Sequence, residues 1–390
     1  IQFENDAFSA WMRDIAAEWG DYLETPASAV HVPDFTSDPN FGDWYCPPEG
    51  GYATFQDFFT RELCAATFPT GSRPVQGYDD PATVVSIGAF DGVHRGHQAV
   101  LTRMVSDAEA RGQRAVAMTF WPHPKAVHDP EHPPVLIMGI EDRLDSMAQT
   151  GLHGTIVVPY TLEFAQQTPE DFVRTWLVDG LNAHRIVVGK DTKFGRGNAG
   201  DVDTLRALGE EHGFEVQVID DACAVSESGR RWSSTWVREL LDDGKLVEAA
   251  EVLGRLHGVR GTVVHGDKLG REIGFPTANL EVSSGMIPRH GVYAGYLAVL
   301  DTGDAPSATP ASATPLPAAI SIGHNYTVGS EGLRVEAYVI DGTGLDLYGA
   351  EVELALVEWR RPMLDFGSLD ALVDALAEDV AWCRDVLHLD

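Results

Sequence analysis

Two histidines and several glycines stand where an apolar run gives way to an amphipathic one: IGAFDGVHRGHQ, residues 87–98. A tight glycine-rich turn from a strand into a helix presents backbone N–H groups at a positive helix end, which suits phosphate. His94 and His97, three apart, can lie on one side of that turn. There they would donate hydrogen bonds to phosphoryl oxygens and stabilise charge developing at phosphorus and on a departing pyrophosphate. Gly92 and Gly96 let the backbone come close. Nucleotidyl transfer is mainly positioning plus charge stabilisation, so no separate acid–base group is required. The plain alternative is a capped helix carrying two solvent-exposed histidines.

The flanking pattern supplies the elements that must hold such a turn. TVVSIGAF (83–90) reads as a buried strand and GHQAVLTRMVSDAEARG (96–112) as a helix ending at Gly112. RAVAMTF, GTIVVPY, RIVVG and FEVQVID follow as strands, with helices over 168–179 and 201–212. Strands alternating with helices predict an α/β domain with a parallel, doubly wound sheet, and ligands sit at the carboxyl ends of such strands. From about residue 256 the pattern changes to short strands with turn signals and no helices between them: HGVRGTVVHGD, GVYAGYLAVL, AAISIG, RVEAYVID and EVELALVEW. That predicts a small antiparallel barrel, closed by a helix over about 367–387. A tandem of SATP units within 301–317 reads as a disordered loop between barrel strands. Residues 5–23 have helical periodicity, forming a short helical N-terminal extension, and a Pro/Gly-rich linker ends near residue 82. The domain organisation expected is 1–82, 83–250 and 251–390.

Composition narrows the class. The 390 residues carry a net charge of −31, which excludes a general nucleic-acid binder but not a nucleotide substrate met by a local cluster of donors. Mean hydropathy is −0.12, and no apolar run is long enough for a bilayer, so a globular protein with no membrane partner is expected. The opening residues lack the pattern of a signal peptide, which makes the cytoplasm the expected location. Cys46, Cys64, Cys223 and Cys383 form no C-x-x-C pair and read as free thiols.

The run G-x-F-D-G-x-H-x-G-H resembles the H-x-G-H nucleotidyltransferases, and within them the bacterial bifunctional riboflavin kinase/FAD synthetases. The resemblance continues through TFWPHP (119–124), VVGKDTKFGRGNAG (187–200) and RRWSSTWVREL (230–240), and covers about 83–388. It implies nucleotide or phosphate contacts from Gly88, Phe90, Asp91, Gly92, Gly96, His123 and Asn198, with His94 and His97 in the chemistry. It further implies that Ser234 and Thr235 cap a helix and touch phosphate, and that Arg238 neutralises it.

GDKLGREIGFPTANL (266–280) resembles the riboflavin kinase signature G-F-P-T-A-N. The two-residue spacing of Thr277 and Asn279 puts a hydroxyl and an amide carbonyl on one face of a strand, oxygen donors of the kind magnesium takes. In the family this pair helps to hold Mg-ATP, with Gly274 beside the nucleotide. Glu336 matches the family's base for the riboflavin 5′-hydroxyl, and Asn325 and Thr327 match flavin contacts. Read without the family, Glu336 is an exposed strand carboxylate. The resemblance thus implies riboflavin, FMN and ATP as partners, Mg²⁺ as cofactor, and permits an oligomer.

The chain departs from the usual family pattern at Trp121, Thr192, Trp232, His324, Tyr326 and Val328. Two alternatives therefore stay open beside the two-step enzyme. One is an FMN adenylyltransferase with an impaired kinase; the other is a non-catalytic flavin or nucleotide binder with an N-terminal docking module. WGDYLETPAS and TFQDFFTREL, within the first 82 residues, resemble the leading region of phosphatidylserine decarboxylase-like proteins. The self-cleaving serine motif of that family has no counterpart here, so its chemistry is not carried over.

Overall fold

The computed structural model describes residues 82–219, 229–266, 269–301, 314–324, 332–342 and 345–389. The N-terminal extension, most of the SATP loop, Asn325, Tyr326, Thr327, Val328 and three of the four cysteines lie outside these residues; Cys383 is buried. The chain divides into two compact units. The first comprises, of the described residues, 82–89, 100–134 and 148–219; the second comprises 90–99, 135–147 and those from 229 onward.

The first unit is built on five parallel strands: β1 (Thr83–Ile87), β2 (Arg114–Trp121), β3 (Gly154–Pro159), β4 (Ala183–Gly189) and β5 (Glu215–Ile219). Their order is β3-β2-β1-β4-β5, so the strand order reverses beside β1. This is the doubly wound sheet that the alternating pattern predicts. Val85, Val116, Met118, Ile156, Ile186 and Val188 are buried in its core, in runs too apolar for a solvated face. Helix α1 (Arg95–Arg111) follows β1 and ends where Gly112 turns left-handed, φ +64°. Its first turn groups with the second unit and the remainder with the first. Helix α2 (Val202–His212) is capped by Asp201, whose carboxylate accepts from Thr204 N–H at 3.0 Å. The helix expected over 168–179 is α-helical over Pro169–Phe172 and π-helical over Val173–Gly180.

In the second unit, α3 (Ser234–Asp243) and α4 (Leu246–Leu253) lead into a closed barrel. Its strands are β6 (His257–Val264), β7 (Ala278–Ser284), β8 (Gly291–Asp301), β9 (Leu316–His324), β10 (Leu333–Val339) and β11 (Glu351–Arg361), in the order β10-β7-β6-β11-β8-β9. All six pairings are antiparallel. The sequence reading picks out five of these; β7 also alternates, Ala278, Leu280 and Val282 against Asn279, Glu281 and Ser283, but its start is masked by the turn-forming Gly274 and Pro276 just before it. Leu316 and Pro317, expected in the loop, are strand residues paired with Leu297 and Tyr296 of β8. The barrel interior is filled by alternate residues such as Leu280, Leu297, Ile320, Val335 and Leu354. Helix α5 (Leu369–Val386) is pinned to β11 by Asp379, which is buried against Arg360 and Arg361.

Candidate functional sites

The turn after β1 is unusually contorted. Phe90, Gly92 and Val93 all have positive φ, +49°, +82° and +38°. Two non-glycine residues in that region persist only where the surroundings hold them. Asp91 is the central anchor. It is 2% exposed, accepts from Ile137 N–H at 3.1 and 3.2 Å, and is ion-paired with Arg238. Ser234 Oγ donates to the Asp91 carbonyl at 2.8 Å. Asp91 thus holds the turn, and its charge is matched within the protein. Asp91→Ala should lower unfolding free energy by about 3 kcal/mol, because it strands a largely buried guanidinium. Urea unfolding measures this, and a loss below about 1 kcal/mol would contradict the anchoring role.

His94 and His97 stack on one another with ring centroids 3.7 Å apart and planes 21° apart. His94 is 5% exposed and His97 is partly buried, so neither is the solvated histidine of the plain alternative. Phe90 meets His97 edge-on at 5.3 Å. The backbone N–H of His97 points at His94 Nδ1, 3.4 Å away, which places the His94 proton on Nε2. Gly96 suits this stack: a Cβ there would press on the His94 ring at 3.1 Å.

Burial, then Arg231 and Arg255, lower the His94 pKa to about 4. Burial, then His94, Arg143 and Arg255, hold His97 well below the usual histidine value. Both rings are therefore neutral at pH 7, each keeping one N–H to donate. The guanidiniums acting on them make a local cationic field in a strongly acidic chain, which favours a polyanionic ligand. His257, buried and bonded to the Met286 carbonyl at 2.7 Å, is likewise lowered to about 4, chiefly by burial.

These depressed values have a fixed sign. Between pH 6.5 and 4 the unfolded chain binds protons that the folded chain refuses. Stability is therefore full above about pH 6.5 and is lost as pH falls towards 4. His94 and His257 should each remove about 2 kcal/mol by pH 5. Denaturant titrations of the ligand-free chain at pH 7.5 and pH 5 check this, and equal stabilities would contradict it.

Other expected site residues fall as follows. The N-cap of α3 is Ser233, whose Oγ accepts from Trp236 N–H at 3.2 Å. Ser234 and Thr235 are instead the first helical residues, because the extended backbone that a cap needs falls at Ser233, φ −154°. Thr235 is exposed in that first turn. Trp232, one of the departures, packs on the core of the second unit. Gly88, His123 and Asn198 belong to the first unit. The Gly88 N–H donates to the Met118 carbonyl at 3.0 Å, extending the β1–β2 ladder. His123 caps the short helix Pro124–His128, accepting from Lys125 N–H, and Asn198 closes a turn at φ +58°. Trp121 ends β2, and Thr192 N–H closes a turn onto the Gly189 carbonyl.

The first unit also holds an aromatic group that the motifs do not reveal. Phe120, Tyr160 and Phe164 meet at centroid distances of 5.4–5.9 Å at the carboxyl ends of β2 and β3, and His128 Nε2 lies 2.9 Å from the Tyr160 hydroxyl. Such a cluster offers faces and edges to a flat ring system. Its one sequence signal is an aromatic at the end of each predicted strand.

The second candidate site lies on the outer wall of the barrel. Asn279 of β7 stands directly opposite Glu336 of β10, which stands opposite Ser321 of β9. Directly opposed residues share a face, and the neighbours Leu280, Val335, Ala337, Ile320 and Ile322 point inward, so these three point outward. Thr277 precedes the first residue of β7, two positions from Asn279. Glu336 is not a freely solvated strand carboxylate: its side chain is 28% exposed, with Arg334 at 3.9 Å. The Asn279 amide also needs a bare neighbour, since a Cβ on Gly266 would lie 2.5 Å from it. Gly274 turns left-handed at φ +89°, and Phe275 beside it packs its ring on Tyr338 of the same outer face, 5.4 Å away. Among the described residues no group of three His, Cys, Asp or Glu could hold a metal. A hydroxyl, an amide oxygen and a facing carboxylate are nonetheless a donor set suited to a hard cation that is also bound to phosphate. No helix among the described residues is long and apolar enough to cross a membrane.

Comparison with known proteins identifies the family. The sequence profile of FAD synthetase matches residues 77–236, and that of riboflavin kinase matches residues 253–387. The chain is 35% identical over 306 residues to the bifunctional riboflavin kinase/FMN adenylyltransferase of Escherichia coli (strain K12), spanning 78% of this chain and 93% of that one. It is 35% identical over 305 residues to the enzyme of the same name from Listeria monocytogenes, spanning 77% and 91%. A solved structure described as a macrolide-efflux protein from Streptococcus pneumoniae is 30% identical and superposes with a TM-score of 0.69, covering 79% of this chain and 95% of that one.

Proposed function

This chain belongs to the bifunctional riboflavin kinase/FMN adenylyltransferases, and from that membership and the two sites we propose how it makes FAD from riboflavin and ATP. It phosphorylates riboflavin to FMN and adenylylates FMN to FAD. We assign the first step to the outer wall of the barrel, in a kinase domain over 251–390, and the second to the His94–His97 turn, in a transferase domain over 83–250.

In the first step the riboflavin 5′-hydroxyl attacks the γ-phosphate of ATP, Glu336 takes the hydroxyl proton, the bond from the γ-phosphorus to the β–γ bridging oxygen breaks, and ADP leaves. Thr277 and Asn279 would hold Mg²⁺ with its nucleotide. When bound, the cation neutralises phosphate charge and aligns the transferring group. Asn325 and Thr327 are assigned to the flavin. Adenylyl transfer begins when an FMN phosphate oxygen attacks the α-phosphate of a second ATP. The P–O bond to the β-phosphate breaks and pyrophosphate leaves. His94 and His97 donate to phosphoryl oxygens, while Ser234, Thr235 and Arg238 line the opening of α3. A cytoplasmic location, where ATP and free flavin meet, is part of this reading.

The observation that carries the second assignment is the neutral, stacked histidine pair within the field of several guanidiniums. Each half-reaction tests the scheme separately. Purified chain with riboflavin, ATP and Mg²⁺ should yield FMN and then FAD, resolved by chromatography. With FMN supplied directly, FAD and pyrophosphate should form in equal amounts. Failure of either half-reaction would overturn the corresponding assignment.

A further inference from the structure

Three successive carbonyls of the His turn are each held by a side chain. The Asp91 carbonyl accepts from Ser234 Oγ at 2.8 Å. The Gly92 carbonyl accepts from Arg255 Nη2 at 2.8 Å. The Val93 carbonyl accepts from Gln98 Nε2 at 2.7 Å and from Arg255 Nη1 at 3.3 Å. Gln98 and Arg255 also meet the Leu253 carbonyl at the end of α4, at 2.7 and 3.4 Å. A peptide unit is planar and trans, so a carbonyl held on one side turns the next N–H to the other. Fixing these three carbonyls therefore fixes the N–H directions of Gly92, Val93 and His94. Arg255 alone spans two neighbouring carbonyls, which its rigid fork can do and a single ammonium cannot.

We infer that Arg255, seconded by Gln98, is a positioning residue for adenylyl transfer: it sets the peptide planes of the His94–His97 turn without touching substrate. This rests on the assignment of adenylyl transfer to that turn. Arg255 lies within the stretch matched by the riboflavin kinase profile, so a residue that shapes one active site is supplied by the segment matched to the other activity. Its charge also acts on both imidazoles. The groups facing His94 are Arg231 and Arg255; those facing His97 are His94, Arg143 and Arg255.

The test uses the full chain with Arg255→Ala, Arg255→Lys, Gln98→Met and His97→Ala, measuring both half-reactions in each preparation. Arg255→Ala should lower kcat for FAD formation about 10- to 100-fold while riboflavin phosphorylation keeps its rate. It should also move the acid limb of the adenylylation pH profile upward, because the rings lose a cationic neighbour. Arg255→Lys should keep that limb in place yet remain at least about tenfold slow, since it restores charge but not the fork. Gln98→Met keeps side-chain volume and should show a smaller loss, and the double variant should be no slower than Arg255→Ala. Arg255→Lys at the wild-type rate, or Arg255→Ala slowing both reactions alike, overturns the inference. If His97→Ala is slow and Arg255→Ala is not, the inference alone fails. If His97→Ala keeps the full rate, the site assignment fails with it.

Discussion

His97→Ala is expected to slow FAD formation from FMN by about 10²- to 10³-fold, with riboflavin phosphorylation unchanged in the same preparation. The size follows from removing one donor aimed at charge that develops in the transition state. The ring is held where such a donor must be. It is stacked on His94, edged by Phe90 and kept neutral by burial and by cationic neighbours. Its Nδ1 is buried with no hydrogen-bond partner among the described residues. A buried polar atom left unpaired costs about 1–3 kcal/mol, a sacrifice that a folding role alone does not explain. The loss should appear equally in kcat and kcat/KM, the mark of an interaction made in the transition state. Steady-state kinetics with FMN and ATP varied separately will show it, and a rate within threefold of wild type would remove His97 from the chemistry.

Glu336→Gln should do the converse. Riboflavin phosphorylation falls by about 10²- to 10⁴-fold, the range for loss of a positioned proton acceptor, and FAD formation from supplied FMN is untouched. The amide keeps the size of the carboxylate and its place on β10, so Asn279 and Ser321 retain their neighbour. It cannot accept a full proton. A variant that slowed only through a higher KM for ATP would show instead that Glu336 binds the nucleotide and leaves the proton to another group.

Much of this was legible in the chain. The alternation of strands and helices marked the doubly wound sheet, and five of the six barrel strands followed from their own periodicity. H-x-G-H and G-F-P-T-A-N pointed to both candidate sites, because each gathers polar donors within a short stretch. Where reading failed, the controlling contact was distant or weakly patterned. Strand β7 is short and begins directly behind the turn-forming Gly274 and Pro276, which hide its alternation. The cap of α3 is a choice among three adjacent residues, Ser233, Ser234 and Thr235, that only the backbone angles decide. The opposition of Asn279 and Glu336 depends on the register of two strands far apart in sequence.

By itself, then, the sequence determined which residues are candidates for the chemistry and which local elements present them. Periodicity, turn residues and motif spacing are properties of short stretches, and short-range sterics and burial act on them directly. Only the tertiary structure decided the state of those residues. It made His94 and His97 neutral by burying them among guanidiniums, and it turned Asp91 into an anchor by bringing Arg238 and Ile137 to its carboxylate. It also set the peptide planes of the turn through Arg255. Each of these depends on desolvation or on a hydrogen bond closed across more than forty residues, and no local pattern specifies which partner folding will deliver.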